Sequence, residues 1–186
     1  MIMPPNDSVF FPDSISTSRL FLRTIVSDDL PYVFEGLSHP QVIRYYGVSY
    51  QTIEDVQAQM DFYHRIEQQR IGKYWAICSL NQQQFFGVAG VNNYQKEQQK
   101  AELGCWFLPQ FQGRGFMKEV VRAICDVAFN TICLHRLEGL VETENIACIK
   151  ALESLNFTHE GTLRDCEFKY GRYVSLHIYS LLNENK

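Results

Sequence analysis

Residues 101–121, AELGCWFLPQFQGRGFMKEVV, string together an apolar strand, a proline stop, a glycine-bearing loop and an apolar-periodic helix. Gly113 and Gly115 let the backbone approach a ligand closely. The unpaired N–H groups of the first helical turn then point at the same spot, which makes an anion site. Two familiar phosphate loops are absent. Lys118 stands where G-x-G-x-x-G needs its third glycine, and no G-K-[ST] follows. Two glycines alone read equally well as a tight turn packing helix on strand.

The rest of the chain is that of a single enzyme-sized domain. At 186 residues about 70% of the extended-chain surface can be buried. A hydrophobic fraction of 46% excludes disordered and collagenous classes. A net charge of −4 argues against sequence-nonspecific nucleic-acid binding, which needs many cations to displace counterions. It leaves room for a local basic site on a small phosphate ligand. Residues 1–14, punctuated by Pro4, Pro5 and Pro12, read as a tail before one domain over 15–183. No basic n-region or long apolar run marks a signal peptide or a span, so a cytoplasmic location without membrane partners is expected. The six cysteines form no C-x-x-C pair and have no histidine at zinc-ligand spacing. They read as reduced thiols, mostly in apolar segments, with no metal.

Periodicity gives the element order. Alternation over residues 17–25 predicts a strand. Ser27-Asp28-Asp29 opens a helix, with Pro31 in its first turn. Thr52 and Asp55 resemble a capping box starting a second helix, with Ile53, Val56, Met60 and Tyr63 on its buried face. Residues 74–80 and 85–93 form a hairpin around NQQQ, and a third strand spans 101–108. After the helix through Met117, Val120, Val121, Ile124, Val127 and Ala128 come a strand over 135–143 and a short helix capped by Asn145. That helix ends near Leu155, with Asn156 left-handed. Two strands around a Tyr170-Gly171 turn finish the chain. This order, β-α-α-β-β-β-α-β-α-β-β, implies an α/β (α+β) domain with a mixed, largely antiparallel sheet and helices on its faces.

Gln110-x-x-Gly113-x-Gly115 matches the Q/R-x-x-G-x-G/A signature of the GNAT N-acetyltransferases. LHRLEGLVETENIACIKALESLNFTHEGTLR resembles the strand, N-x-x-S helix and G-F-x-x-E-G strand of the ribosomal-protein N-α-acetyltransferase-like branch, the RimJ/RimL type. TSRLFLRTIVSDDLPYVF and HPQVIRYYG also resemble that branch. The resemblance implies acetyl-CoA as cosubstrate, bound where the fourth and fifth strands splay. Backbone groups near Phe107 and Leu108 would pair with pantetheine, and the N–H near Leu108 would polarise the acetyl carbonyl. Amides of Gly113, Arg114, Gly115, Phe116 and Met117 would hold the pyrophosphate. Arg114, Lys118 and Lys150 are charge partners for the phosphates or simply solvated cations.

Asn145 is explained locally as an N-cap; the resemblance adds a hydrogen bond to pantetheine. Cys148 stands where the branch has serine, which implies a proton donor to the departing CoA sulfur. Its helical face, shared with Leu152 and Leu155, equally suits core filler. A position near a helix N-terminus predicts a lowered thiol pKa. Glu167 occupies the family position of the base that frees the attacking amine of its proton; Glu102 is the rival and Glu142 the third candidate. Ser175 replaces a frequent aspartate, which predicts a changed acceptor-site polarity. The implied activity is direct acetyl transfer in a ternary complex to a protein N-terminal or related amine. The alternatives are a small-molecule amine acceptor, with segments 45–50 and 92–100 shaping the pocket, and a non-catalytic acyl-CoA sensor. The protein would be a monomer or homodimer.

Overall fold

The computed structural model describes residues 11–184. Its strands are β1 (Ser14–Ser16), β2 (Leu20–Thr24), β3 (Lys73–Ser79), β4 (Phe85–Gln95), β5 (Lys100–Phe107), β6 (Arg136–Glu142), β7 (Thr158–Lys169) and β8 (Arg172–Leu182). Its helices are α1 (Leu30–Ser38), α2 (Pro40–Ile43), α3 (Gln57–Gln68), α4 (Phe116–Asn130) and α5 (Ile146–Glu153). The strands make one sheet in the order β1-β2-β3-β4-β5-β6-β8-β7. Every neighbouring pair is antiparallel except β5 and β6. The mixed, largely antiparallel sheet expected from the sequence is therefore the observed one.

Each face of the sheet has its own core. Leu20, Leu22, Trp75 and Ile77 lie under α4, whose Val120, Val121, Ile124 and Ala128 are buried. On the other face Val33, Leu37, Val56, Tyr63 and Ile66 of the α1 and α3 region meet Tyr74, Val88 and Trp106. A Cβ on Gly36 would sit 2.2 Å from the Trp106 ring, so glycine lets α1 lie directly on that indole.

Two ion pairs explain why the opening strand reads as it does. Arg23 grips Asp29 with both guanidinium nitrogens at 2.7 Å, and Asp29 also accepts from the Val26 amide at 2.9 Å. That fixes the entry to α1. The other ion pair involves Glu119, in the first turn of α4. It accepts from the Thr17 hydroxyl at 2.6 Å, the Arg19 amide at 2.9 Å and the Arg19 Nε at 2.6 Å. The Arg19 guanidinium lies 4.6 Å from the Phe116 ring centroid and donates to the Arg114 carbonyl at 3.2 Å. The start of β2 thus braces the glycine loop from behind.

Three local differences from the sequence expectations have physical causes. The end of the expected tail is built in: Phe11 is buried, and the Trp75 indole donates to the Pro12 carbonyl at 2.9 Å. Residues 1–10 lie outside the described residues. The second helix starts at Gln57 rather than Thr52. The Asp55 amide does bond the Thr52 hydroxyl at 3.3 Å, but the next bonds span three residues, as in Gln57 to Glu54. That tighter winding turns Ile53 outward, at 38% exposure. The four-residue helix α2 is too short for any periodicity to register; His39 caps it and Pro40 starts it. Asn156 is left-handed as expected, with φ 64°. Tyr170 and Gly171 both take positive φ, which suits a hairpin turn. Among the described residues no helix is long and apolar enough to cross a membrane.

Burial alone would raise Glu119, but the Thr17, Arg19 and Ser18 donors outweigh it and hold the carboxyl at about 2. A depressed folded pKa gives stability that is present above the unfolded value and lost as pH falls toward the folded one. The melting temperature should therefore drop between about pH 4.5 and pH 2, and Glu119→Gln should flatten that part of the curve. A wild-type profile in the variant would assign acid sensitivity elsewhere.

Candidate active site

β5 and β6 are paired only at Lys100–Arg136, Ala101–Leu137 and Glu102–Glu138. Beyond Glu102 and Glu138 the strands diverge, while β5 stays bonded to β4 and β6 to β8. Their facing edges are left open. The Leu108 amide donates to the Phe86 carbonyl at 2.9 Å. In an antiparallel pair the bonding side alternates, so Trp106 and Gly104 also face β4. Leu103, Cys105 and Phe107 turn their backbone groups to the open side. The Phe107 carbonyl is taken by Gln112 Nε2 at 2.9 Å, which leaves its N–H. The amide expected at Leu108 is thus already used, and the free one belongs to Phe107. Gln112 escaped the sequence reading because a glutamine in a turn carries no periodic signal.

The glycine loop continues from there. Gly113 and Gly115 have φ of 72° and 77°, values that favour glycine. A Cβ on Gly113 would meet nothing within 4 Å, and one on Gly115 only Arg19 Nη2 at 3.7 Å. Among the described residues the amides of positions 113–117 donate to no backbone carbonyl. They converge at the N-terminus of α4, a 15-residue helix with a strong end field. Lys118 lines the adjoining cavity, whereas Arg114 and Lys150 do not.

Two cavities meet in the splay. One, of about 520 Å³, runs along Trp106, Phe107, Gly113, Gly115, Lys118 and Ala147. The other, of about 390 Å³, lies on the α3 side, along Gly47, Phe62, Glu102, Glu142, Glu167 and Leu176. Both are bounded by Tyr45, Tyr46, Cys105, Met117, Asn145 and Cys148. An elongated ligand on the glycine loop and a second ligand on the other side would touch only there.

Asn145 caps α5: its Oδ1 accepts from the Cys148 amide at 3.2 Å, leaving its amide nitrogen to donate. Cys148 is half-buried, lines both cavities and also packs against the core on the α4 face. The expected lowering of its pKa is reversed. Burial pushes the thiol up to about 11, because desolvation outweighs the end of an eight-residue helix. Burial raises Cys105 too, reinforced by Cys148.

The carboxylates differ in their commitments. Glu142 is buried against Lys169 at 2.6 Å, which removes it as a base. Glu102 accepts from Asn93 Nδ2 at 2.6 Å. Glu167 lines the same cavity on the bulged part of β7. Ser175 does not reach this cavity: its hydroxyl accepts from the Asp165 amide at 3.0 Å on the far side of β8. Of the two segments expected to shape the pocket, residues 45–48 line it, but only Asn92 does so from 92–100.

Comparison with known proteins decides the family. Residues 19–158 match the model of the acetyltransferase (GNAT) domain. The chain belongs to the GNAT family and is an acyltransferase. It is 31% identical over 173 residues to the uncharacterized N-acetyltransferase p20 of Bacillus licheniformis, covering 91% of this chain and 96% of that one. Among solved structures it resembles RimL, the ribosomal L7/L12 alpha-N-protein acetyltransferase, in complex with CoA. The TM-score is 0.83, at 19% identity, over 93% of this chain and 99% of that one. It also resembles the spermidine N-acetyltransferase of Vibrio cholerae in complex with CoA and spermine. There the TM-score is 0.80, at 20% identity, over 89% of this chain and 96% of that one.

For a GNAT enzyme with this loop, Gly115→Val should weaken acetyl-CoA binding at least about tenfold, by crowding the amide cradle. The positive φ of 77° adds a fold penalty of about 1–2 kcal/mol, so the melting temperature should also fall. Isothermal titration and a thermal melt separate the two effects. Wild-type affinity in a destabilised variant would place the phosphates elsewhere.

Proposed function

We propose that the protein transfers the acetyl group of acetyl-CoA to a primary amine by direct attack in a ternary complex. The observation that carries the reading is the meeting of the two cavities at Cys105, Asn145 and Cys148, beside the free Phe107 amide. The cofactor's phosphates occupy the loop of Gly113, Arg114, Gly115, Phe116 and Met117. Its pantetheine runs along the open edge of β5 as an added strand, with Asn145 Nδ2 as a lateral donor. The thioester then lies at the junction, its carbonyl oxygen on the N–H of Cys105, the open-side residue that borders both cavities. That bond strengthens as the oxygen gains charge during attack.

Proton traffic falls to two side chains. The acceptor arrives as an ammonium and must lose a proton before it attacks. Glu167 takes it, directly or through water, with Glu102 as the other carboxylate in reach of the chamber. Cys148 donates to the CoA sulfur as the carbon–sulfur bond breaks. With a thiol at about 11, only on the order of one molecule in 10⁴ holds a thiolate at pH 7, which opposes covalent catalysis. The same desolvation raises the leaving thiolate's basicity, so the higher pKa of Cys148 is met by a stronger proton acceptor.

The acceptor we favour is a protein N-terminal or related amine. Leu140 and Leu163, 45% and 44% exposed, share the sheet face of Leu176 at the chamber wall. Such an uncovered apolar strip suits an extended chain entering beside β6 and β8. A polyamine is the second reading, supported by Glu102 and Glu167 in the same chamber. Free thiols at the junction suit a reducing compartment, the cytoplasm. An acceptor screen with N-terminal peptides, polyamines and aminoglycosides, read by released CoA thiol, tests the assignment. Turnover of peptides above polyamines supports it. Acetyl-CoA binding without turnover of any amine would leave a sensor.

Substitutions at two residues probe the mechanism. Glu167→Gln should lower kcat by on the order of 10²-fold near neutral pH and recover in part at high pH, where amines deprotonate unaided. An unaltered pH–rate profile would move the role to Glu102. Cys148→Ser should keep most activity, while Cys148→Ala should lose on the order of 10²-fold in kcat with acetyl-CoA affinity intact. An acetyl group found on Cys148 by intact-mass spectrometry, and passed to added amine, would overturn direct transfer.

A further inference from the structure

Tyr46 borders both cavities, and no role has yet been given to it. Its hydroxyl lies beside that of Tyr74. Tyr74 Oη in turn accepts from Asn92 Nδ2 at 2.6 Å. The Tyr74 ring packs against Tyr63, with centroids 5.1 Å apart, and lies over two stretches of backbone that carry no side chain. A Cβ on Gly90 would lie 2.8 Å from its Cγ, and one on Gly104 would lie 2.3 Å from its Oη. Two neighbouring strands therefore leave out a side chain each, so that this ring can reach the crotch of the splay. Glycine inside a strand costs about 0.5–1 kcal/mol relative to alanine. Burying a phenol oxygen costs more than burying the same ring without it. A phenylalanine pair would fill the space at less expense, so the oxygens need another reason.

We propose that Tyr46 is a catalytic residue of the transfer: its hydroxyl receives an N–H of the acceptor amine at the junction and aims the amine's lone pair at the thioester. Tyr74 and Asn92 are positioning residues that fix where the Tyr46 oxygen points. The inference rests on the acetyltransferase reading above.

The chemistry of the group fits that task. A tyrosine hydroxyl has two acceptor sites and one donor, so it can serve Tyr74 and still receive an amine N–H. Burial keeps Tyr46 protonated well beyond neutral pH, so it orients the amine without taking its proton. The proton still goes to a carboxylate. A neutral amine attacking a carbonyl needs its remaining N–H bonds held on the side away from the carbon, and the shared wall of the cavities provides that side.

The test is steady-state kinetics on the full chain with acetyl-CoA and the best amine of the screen. Tyr46→Phe keeps the ring and removes only the oxygen. It should lower kcat about 10- to 100-fold, with unchanged melting temperature, unchanged acetyl-CoA affinity and an unshifted pH–rate profile. Tyr74→Phe, which leaves the Tyr46 oxygen but frees it to rotate, should lose about three- to tenfold. A kcat within twofold of wild type in Tyr46→Phe would reduce Tyr46 to a wall and overturn the proposal. A parallel loss of acetyl-CoA affinity would also overturn it, by placing the hydroxyl on the cofactor side. Failure of the wild-type protein to turn over any amine would bring down the acetyltransferase reading itself, a result distinct from either.

Discussion

Parallel pairing between β5 and β6 stops after Glu102 and Glu138, and the chemistry of the protein depends on that divergence. Each strand keeps its outer partner, β4 or β8, so the sheet holds together while the facing edges open. An open edge offers unpaired N–H and C=O groups that have to be satisfied by something. Here the helix between the two strands, α4, starts at the mouth of the opening, behind a loop bent by Gly113 and Gly115. A ligand with an anionic end and an amide-rich arm is complementary to both at once. Acetyl-CoA has that constitution.

The loop stays where it is because the turn between β1 and β2 holds it. Glu119 is tied to Thr17, Ser18 and Arg19, and Arg19 reaches on to the Arg114 carbonyl and the Phe116 ring. The opposite rim is tied by Lys169, which bonds both Glu142 and the Arg44 carbonyl. The gap is therefore framed by ion pairs at its edges, while its centre is lined by weakly polar thiols and phenols. Desolvation sets their behaviour: Cys148, Cys105 and Tyr46 are all pushed toward their protonated forms. A junction of permanent donors suits stabilising a leaving thiolate and orienting an amine, and it disfavours a nucleophilic cysteine.

Much of this was legible in the sequence, and the parts that were not share a cause. Strand and helix order follow from periods of two and of about 3.6, and the long elements β4, β5, α4, β7 and β8 all fall where the pattern puts them. The glycine loop was legible because positive φ leaves a compositional mark. Elements of three or four residues, β1 and α2, carry no period and went unseen. Bond parity was also hidden: which of Phe107 and Leu108 faces the opening depends on register with Phe86, a partner some twenty residues away. The Cys148 thiol was misjudged for a related reason. Its place in the helix is local and visible, but its burial beside Cys105 is tertiary. Tyr74 meets Asn92 through a long-range contact that no motif announces, and Gln112 closes a turn on Phe107 that leaves no periodic signal.

The parity of β5 is the most direct check on the account. Residue-resolved amide hydrogen exchange by NMR, with and without acetyl-CoA, reads it without reference to turnover. In the free protein the Gly104, Trp106 and Leu108 amides should be protected by β4, while those of Cys105 and Phe107 exchange faster. Acetyl-CoA should then protect Cys105 and Phe107 selectively, together with the amides of the loop from Gly113 to Met117. Equal protection of both parities in the free protein, or a ligand that leaves Cys105 and Phe107 unchanged, would contradict the claim that the splayed edge of β5 is the cofactor site.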